Sequence, residues 1–142
     1  VHNTKKCGAV KRATKYGIPH VRIPHKNEDE MIKLFEEYQV DLIILAGYMR
    51  VLKNPSLFPC PIINVHPSLL PKYKGLHAVE QAIESGDKVT GCTVHYVNEE
   101  LDGGEIIKQA EVPIHENDTV DELTKRIQRE EYRILPEVIN SL

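Results

Sequence analysis

Tryptophan is absent from this 142-residue chain, phenylalanine occurs twice and cysteine three times. Cys7, Cys60 and Cys92 are odd in number and far apart, which argues against a disulfide framework and suits reduced thiols in a cytoplasmic compartment. No CxxC or HxxxH spacing sets the cysteines or the seven histidines in a metal-ligating pattern, so no metal is expected. No apolar run approaches the length of a membrane span, and nothing resembles a signal peptide. Neither sign of charge dominates: a formal net charge of -3 leaves no footprint for nucleic acid or an anionic membrane. G-x-S-x-G, G-x-G-x-x-G and P-loop motifs are also missing, so a serine nucleophile, a dinucleotide and a nucleoside triphosphate all lack support.

What is present fits one soluble globular domain over residues 1–142, with 41% hydrophobic and 27% charged residues. Residues 5–16 have helical character, with Val10 and Ala13 on one face and Gly17 as a stop. His20 to Pro24 reads as a short strand flanked by His20 and His25. Asn27 with Glu30 fits a capped helix start whose apolar stripe is Met31, Leu34, Phe35 and Tyr38. Asp41 to Gly47 is a continuous apolar run, the pattern of a strand covered on both faces of a parallel sheet. Further strands are expected at 62–65, 90–97 and 105–114, and a helix at 76–85 closed by Gly86. Thr119 and Glu122 form a capping box for a last helix, buried through Leu123, Ile127, Ile134 and Val138 and kinked or interrupted near its end by Pro136. The pattern predicts an α/β fold with an open, mostly parallel sheet.

In such sheets ligands bind beyond the carboxyl ends of the strands. Gly47 to Arg50 leaves one strand end, and Asn64-Val65-His66 leaves another. Asn64 and His66 alternate by two and point to the same side of an extended backbone, where an amide and an imidazole suit a developing oxyanion. A histidine also shuttles protons when a carboxylate orients it, and Asp102, before Gly103 and Gly104, is the nearest attractive carboxylate. Each residue alone has a plainer reading: Asn64 as a turn former, His66 as a structural histidine, Asp102 as a hairpin residue.

Taken together, LAGYMRVL (45–52), INVHPSLLPKYKGLHA (63–78), TGCTVHYV (90–97), ELDGGEIIKQAEVPI (100–114) and DTVDELTKRIQREE (118–131) resemble the folate-dependent formyltransferases. Within them the likeness runs to the branch acting on glycinamide ribonucleotide in purine synthesis. The resemblance implies a Rossmann-like formyltransferase fold and a formyl group passed from 10-formyltetrahydrofolate, as co-substrate, to an amine. It implies catalytic roles for Asn64, His66 and Asp102. Met49, Arg50, Val51 and Leu52 would flank the folate ring, and the backbone of Glu99, Glu100, Leu101 and Gly103 would read its edge. Pro67, Gln128 and Glu131 would meet the ribonucleotide. His95 matches a histidine near the family's site, and a structural histidine is an equal reading.

The family pattern begins with a strand, a glycine-rich phosphate loop, a helix and a second strand, and Val1-His2-Asn3-Thr4 resembles the segment after that second strand. The expectation is a chain lacking these elements and their phosphate grip. Small-molecule substrates, no nucleic acid and no membrane are the expected partners, and a homodimer is an allowed assembly. Transfer to an amino sugar nucleotide, hydrolysis of formyl folate, and a non-catalytic folate-binding fragment are the competing readings.

Overall fold

The computed structural model describes residues 1–24 and 27–142, so His25 lies outside the described residues. The chain divides into two units, Val1–Val40 and Asp41–Leu142.

In the first unit, helix α1 spans Gly8–Lys15 and helix α2 spans Glu28–Glu37. The Asn27 side chain accepts from the Glu30 backbone N–H at 3.2 Å, the cap that its spacing implies. Met31, Leu34 and Phe35 are half-buried, whereas Tyr38 stands beyond the helix end and is exposed. The strand expected at His20–Pro24 reduces to a single parallel bridge between His2 and Arg22. Its backbone bonds, His2 N to Val21 O and Ile23 N to His2 O, tie only one residue pair on each side.

The second unit carries β1 (Ile43–Leu45), β2 (Ile62–His66), α3 (Ala78–Ser85), β3 (Val89–Tyr96), β4 (Ile106–Pro113) and α4 (Val120–Ser141). The four strands form one sheet in chain order. This is the expected α/β class, but the sheet is mixed: β1 and β2 are parallel, while β2–β3 and β3–β4 are antiparallel. The apolar content of a strand reports burial and not direction, which explains the correction. Among the described residues β1, at the sheet's edge, pairs only with β2, and Ile44 is exposed where two-sided cover was expected.

Helix α4 lies across β3 and β4. Its Leu123, Ile127, Ile134 and Val138 join Ile63, Val79, Cys92, Val94, Ala110 and Val112 in one core. Burying each large aliphatic side chain contributes roughly 1.5–3 kcal/mol, so this face holds the unit together. The Thr119–Glu122 capping box is formed in both directions. Pro136 does not interrupt α4, which continues to Ser141. The carbonyl that a proline leaves without a donor belongs here to Tyr132, an exposed residue that water reaches.

Candidate active site

Register decides which side chains meet. Asn64 pairs with His95, and His66 pairs with Thr93. Side chains alternate along a strand, so Asn64, His66, Thr93 and His95 leave one face of the sheet while Ile63, Cys92 and Val94 leave the other for the α4 core. Two loops close over the polar face. Residues 67–77 are tied down by Thr93, whose hydroxyl donates to Ser68 O at 2.7 Å and accepts from Leu70 N at 3.1 Å. In the loop between β3 and β4, a Cβ at Gly104 would meet Tyr96 O at 1.8 Å, so only glycine lets the chain pass that close. Asp102 sits there in a left-handed conformation, φ 49°.

These constraints place Asp102 between two imidazoles. Its Oδ2 accepts from Gly75 N at 2.7 Å and faces His66 Nδ1 at 3.5 Å. Its Oδ1 faces His95 Nε2 at 3.6 Å. The side chains of Asp102 and His66 are only 8% and 7% exposed, so each charge or lone pair acts in a poorly solvated setting. His66 Nε2 donates to Tyr73 O at 2.7 Å, which leaves Nδ1 toward the carboxylate. A proton added at Nδ1 would turn the 3.5 Å approach into a hydrogen-bonded ion pair. Asn64 Nδ2 donates to His95 Nε2 at 3.2 Å, and His95 Nδ1 donates to Tyr96 O at 2.8 Å. Burial holds the His95 ring below the ordinary histidine range, against the upward pull of the Tyr96 carbonyl and Asp102.

Asn64, His66 and Asp102 are therefore brought together, with His95 as a fourth member that links Asn64 to Asp102. Sequence order hides that link, because the partners stand 31 residues apart and only the strand register joins them. Pro67 follows directly on His66 and is half-buried.

The residues expected around a folate ring divide. Leu52 is buried, at 6% exposure, while Met49 and Val51 are exposed and Arg50 is at the surface. Glu100 pairs with Lys74 at 2.8 Å, Leu101 is exposed, and Gly103 N donates to Glu100 O. Glu99 borders a cavity of about 250 Å³ whose walls include Pro55, Phe58, Ile62, Val97 and Asn98. None of the five was expected at a pocket from sequence: Ile62 and Val97 read as strand residues, and Pro55, Phe58 and Asn98 lie in segments without a periodic signal.

Gln128 and Glu131 on α4 have no hydrogen bond or ion pair to the cluster among the described residues. Gln128 is exposed. Glu131 falls within the apolar stripe of α4, between Ile127 and Ile134, and burial raises its carboxyl above the usual range. It lies near enough to Cys92 to help push that thiol up to about 12, with burial the larger cause.

Residues 1–139 match the Formyl transferase family. Over 137 residues the chain is 45% identical to phosphoribosylglycinamide formyltransferase of Haemophilus influenzae, covering 90% of this chain and 65% of that protein. Over 142 residues it is 45% identical to the trifunctional purine biosynthetic protein adenosine-3 of Drosophila melanogaster, covering 94% of this chain and 10% of that protein. It thus spans less than two thirds of the length of either relative. The crystal structure of phosphoribosylglycinamide formyltransferase from Anaplasma phagocytophilum is similar with a TM-score of 0.92 at 40% identity, over 96% of this chain and 69% of that one. With the match running through the whole Asn64–Asp102 cluster, the chain belongs to the formyl transferase family.

Proposed function

We propose that this chain transfers the formyl group of 10-formyltetrahydrofolate to the amino group of glycinamide ribonucleotide. The observation that carries this reading is the buried Asp102 carboxylate held between His66 and His95, with Asn64 on the same strand face. In the proposed reaction the substrate amine attacks the formyl carbon and a C–N bond forms. The carbonyl oxygen becomes an oxyanion, stabilised by an Asn64 N–H and by protonated His66. Collapse breaks the bond between the formyl carbon and the folate nitrogen. The proton lost by the amine passes, by way of water held at Asp102, to the departing nitrogen. His66 must first exchange the Tyr73 carbonyl for the formyl oxygen as acceptor of its Nε2–H.

The residues fit the folate substrate on two grounds. The cavity beside Glu99 has Pro55, Phe58, Ile62 and Val97 among its walls, apolar surface suited to one face of a flat heteroaromatic ring. Met49 and Val51 offer apolar surface that a bound ligand would cover, with Arg50 between them. Contact with the ribonucleotide is assigned to Pro67, Gln128 and Glu131. Glu131 supports this as a half-buried carboxylate with no partner among the described residues.

The test is formyl transfer from a 10-formyl folate analogue, with and without glycinamide ribonucleotide. Turnover that depends on the ribonucleotide is expected. Amine-independent loss of the formyl group would indicate hydrolysis, and binding of the analogue without turnover would indicate a folate-binding fragment.

A further inference from the structure

His95 is the member of the cluster that the proposed chemistry leaves without a task, and it is the most deeply buried, at 2% exposure. Its two ring nitrogens meet partners of opposite character. Nδ1 lies 2.8 Å from Tyr96 O, and a carbonyl only accepts, so the proton of the neutral ring is on Nδ1. Nε2 then presents a lone pair, 3.2 Å from the Asn64 amide nitrogen. The opposite amide orientation would set the Asn64 oxygen against that lone pair. The contact therefore chooses between two amide orientations that are otherwise nearly equal in shape.

We propose that His95 is a positioning residue for formyl transfer, whose Nε2 lone pair fixes the Asn64 carboxamide with its nitrogen inward and leaves the second N–H free for the reacting carbonyl oxygen. This rests on the proposed function. The groups around the ring agree with it. Asp102, from the loop after β3, and His66, from β2, are the titratable groups that act on it, and its register partner on β4 is the uncharged Ile106. A proton on Nε2 would be drawn to Asp102 Oδ1, 3.6 Å away, and would remove the acceptor from Asn64. Burial works against that proton and keeps the ring in the form that holds Asn64.

The test compares three variants in the transfer assay. His95→Leu removes the acceptor at similar volume, and kcat is expected to fall about a hundredfold, the scale of losing one oxyanion donor. KM for both substrates stays within about threefold, because the effect is on the transition state. His95→Gln places an amide oxygen near the position of Nε2 and restores kcat to within about tenfold of the unaltered chain. In Asn64→Ala/His95→Leu the rate is no lower than in Asn64→Ala alone, since His95 acts through Asn64. Losses that multiply in the double variant, or a folded His95→Leu with unchanged kcat, overturn the proposal. A second readout is independent of activity: ¹⁵N spectra of the His95 ring should show a protonated Nδ1 and an unprotonated Nε2 at neutral pH. The reverse tautomer overturns the proposal whatever the kinetics. Absence of transfer by the unaltered chain counts instead against the proposed function, and the ring spectrum then still tests the tautomer that accepting from Asn64 requires.

Discussion

Asp102 and Asp118 are both carboxylates set beside histidine and at the mouth of a loop, yet they dispose of their charge in different ways. Asp118 takes both terminal nitrogens of Arg126, at 2.6 and 2.8 Å, and the backbone N–H of His115 at 2.7 Å. Arg126 also reaches Pro113 O, so the clamp ties the end of β4 to the first turns of α4. Asp102 has one short bond, to Gly75 N, and faces two imidazoles at 3.5 and 3.6 Å. The cavity beside Asp118 is the larger, about 460 Å³ against about 250 Å³ beside Glu99. Size alone would favour the Asp118 side over the proposed site. A carboxylate that meets three fixed donors, two of them from one guanidinium, has little left to offer a substrate, whereas one with a single short bond that faces the His66 imidazole retains that capacity.

The comparison breaks first at Asn64 and His66. If their face of the sheet is the reacting one, Asn64→Ala or His66→Ala reduces kcat by about a hundredfold or more while sparing affinity for the folate analogue. A loss confined to folate affinity would move both residues into binding. Asp102→Asn is the next test. The amide oxygen still accepts from Gly75 N, so the loop keeps its shape, but the charge that faces His66 is gone. The rate should fall on the order of a hundredfold and its pH dependence should change. An unaltered pH profile would separate Asp102 from His66.

How much of this was legible depended on reach along the chain. The Asn27–Glu30 and Thr119–Glu122 caps involve residues three apart, and both are formed. The Leu123, Ile127, Ile134, Val138 stripe follows a helical period and is buried throughout. Strand direction and register are not local, so the antiparallel pairing of β2 with β3 and the Asn64–His95 contact could not be read from either segment. Asp102 is a further case: by itself it reads as a turn residue before two glycines, the residues alone offered it as a carboxylate that could orient His66, and the resemblance implied its catalytic role. The Tyr73 carbonyl on His66 carries no sequence signal, since every residue has a carbonyl. Pro136 leaves α4 continuous, because the backbone group it frees lies at an exposed residue.

Glu131 sharpens the comparison from another side, as a half-buried acid with neither Asp118's clamp nor Asp102's imidazoles. Among the described residues it has no hydrogen-bond or ion-pair partner, and burial raises its carboxyl, so a ligand hydroxyl or amide would find an acceptor there. Glu131→Ala should raise the KM for glycinamide ribonucleotide about tenfold with kcat little changed, the pattern of lost uniform binding. An unchanged KM would place Glu131 with the core of α4 and outside the substrate site.

The smallest effect on activity is expected at Asp118. Asp118→Asn loses the ionic half of the Arg126 clamp but touches nothing near Asn64 or Asp102, so kcat and both KM values should stay as they are. Stability should respond instead. The Arg126 guanidinium holds the Asp118 carboxyl well below the usual carboxylate range, the His115 N–H acting in the same direction. A group whose folded pKa is depressed contributes stability above its unfolded value, about 3.9, and loses it as pH falls toward the folded value. The unaltered chain should therefore melt a few degrees above Asp118→Asn at pH 7, and the gap should close as the pH is taken below about 4. Thermal melts at pH 7 and pH 3 measure this directly. A gap that persists undiminished in acid would mean that the clamp acts through shape and hydrogen bonding and not through charge, and the contrast with Asp102 would then lie in geometry alone.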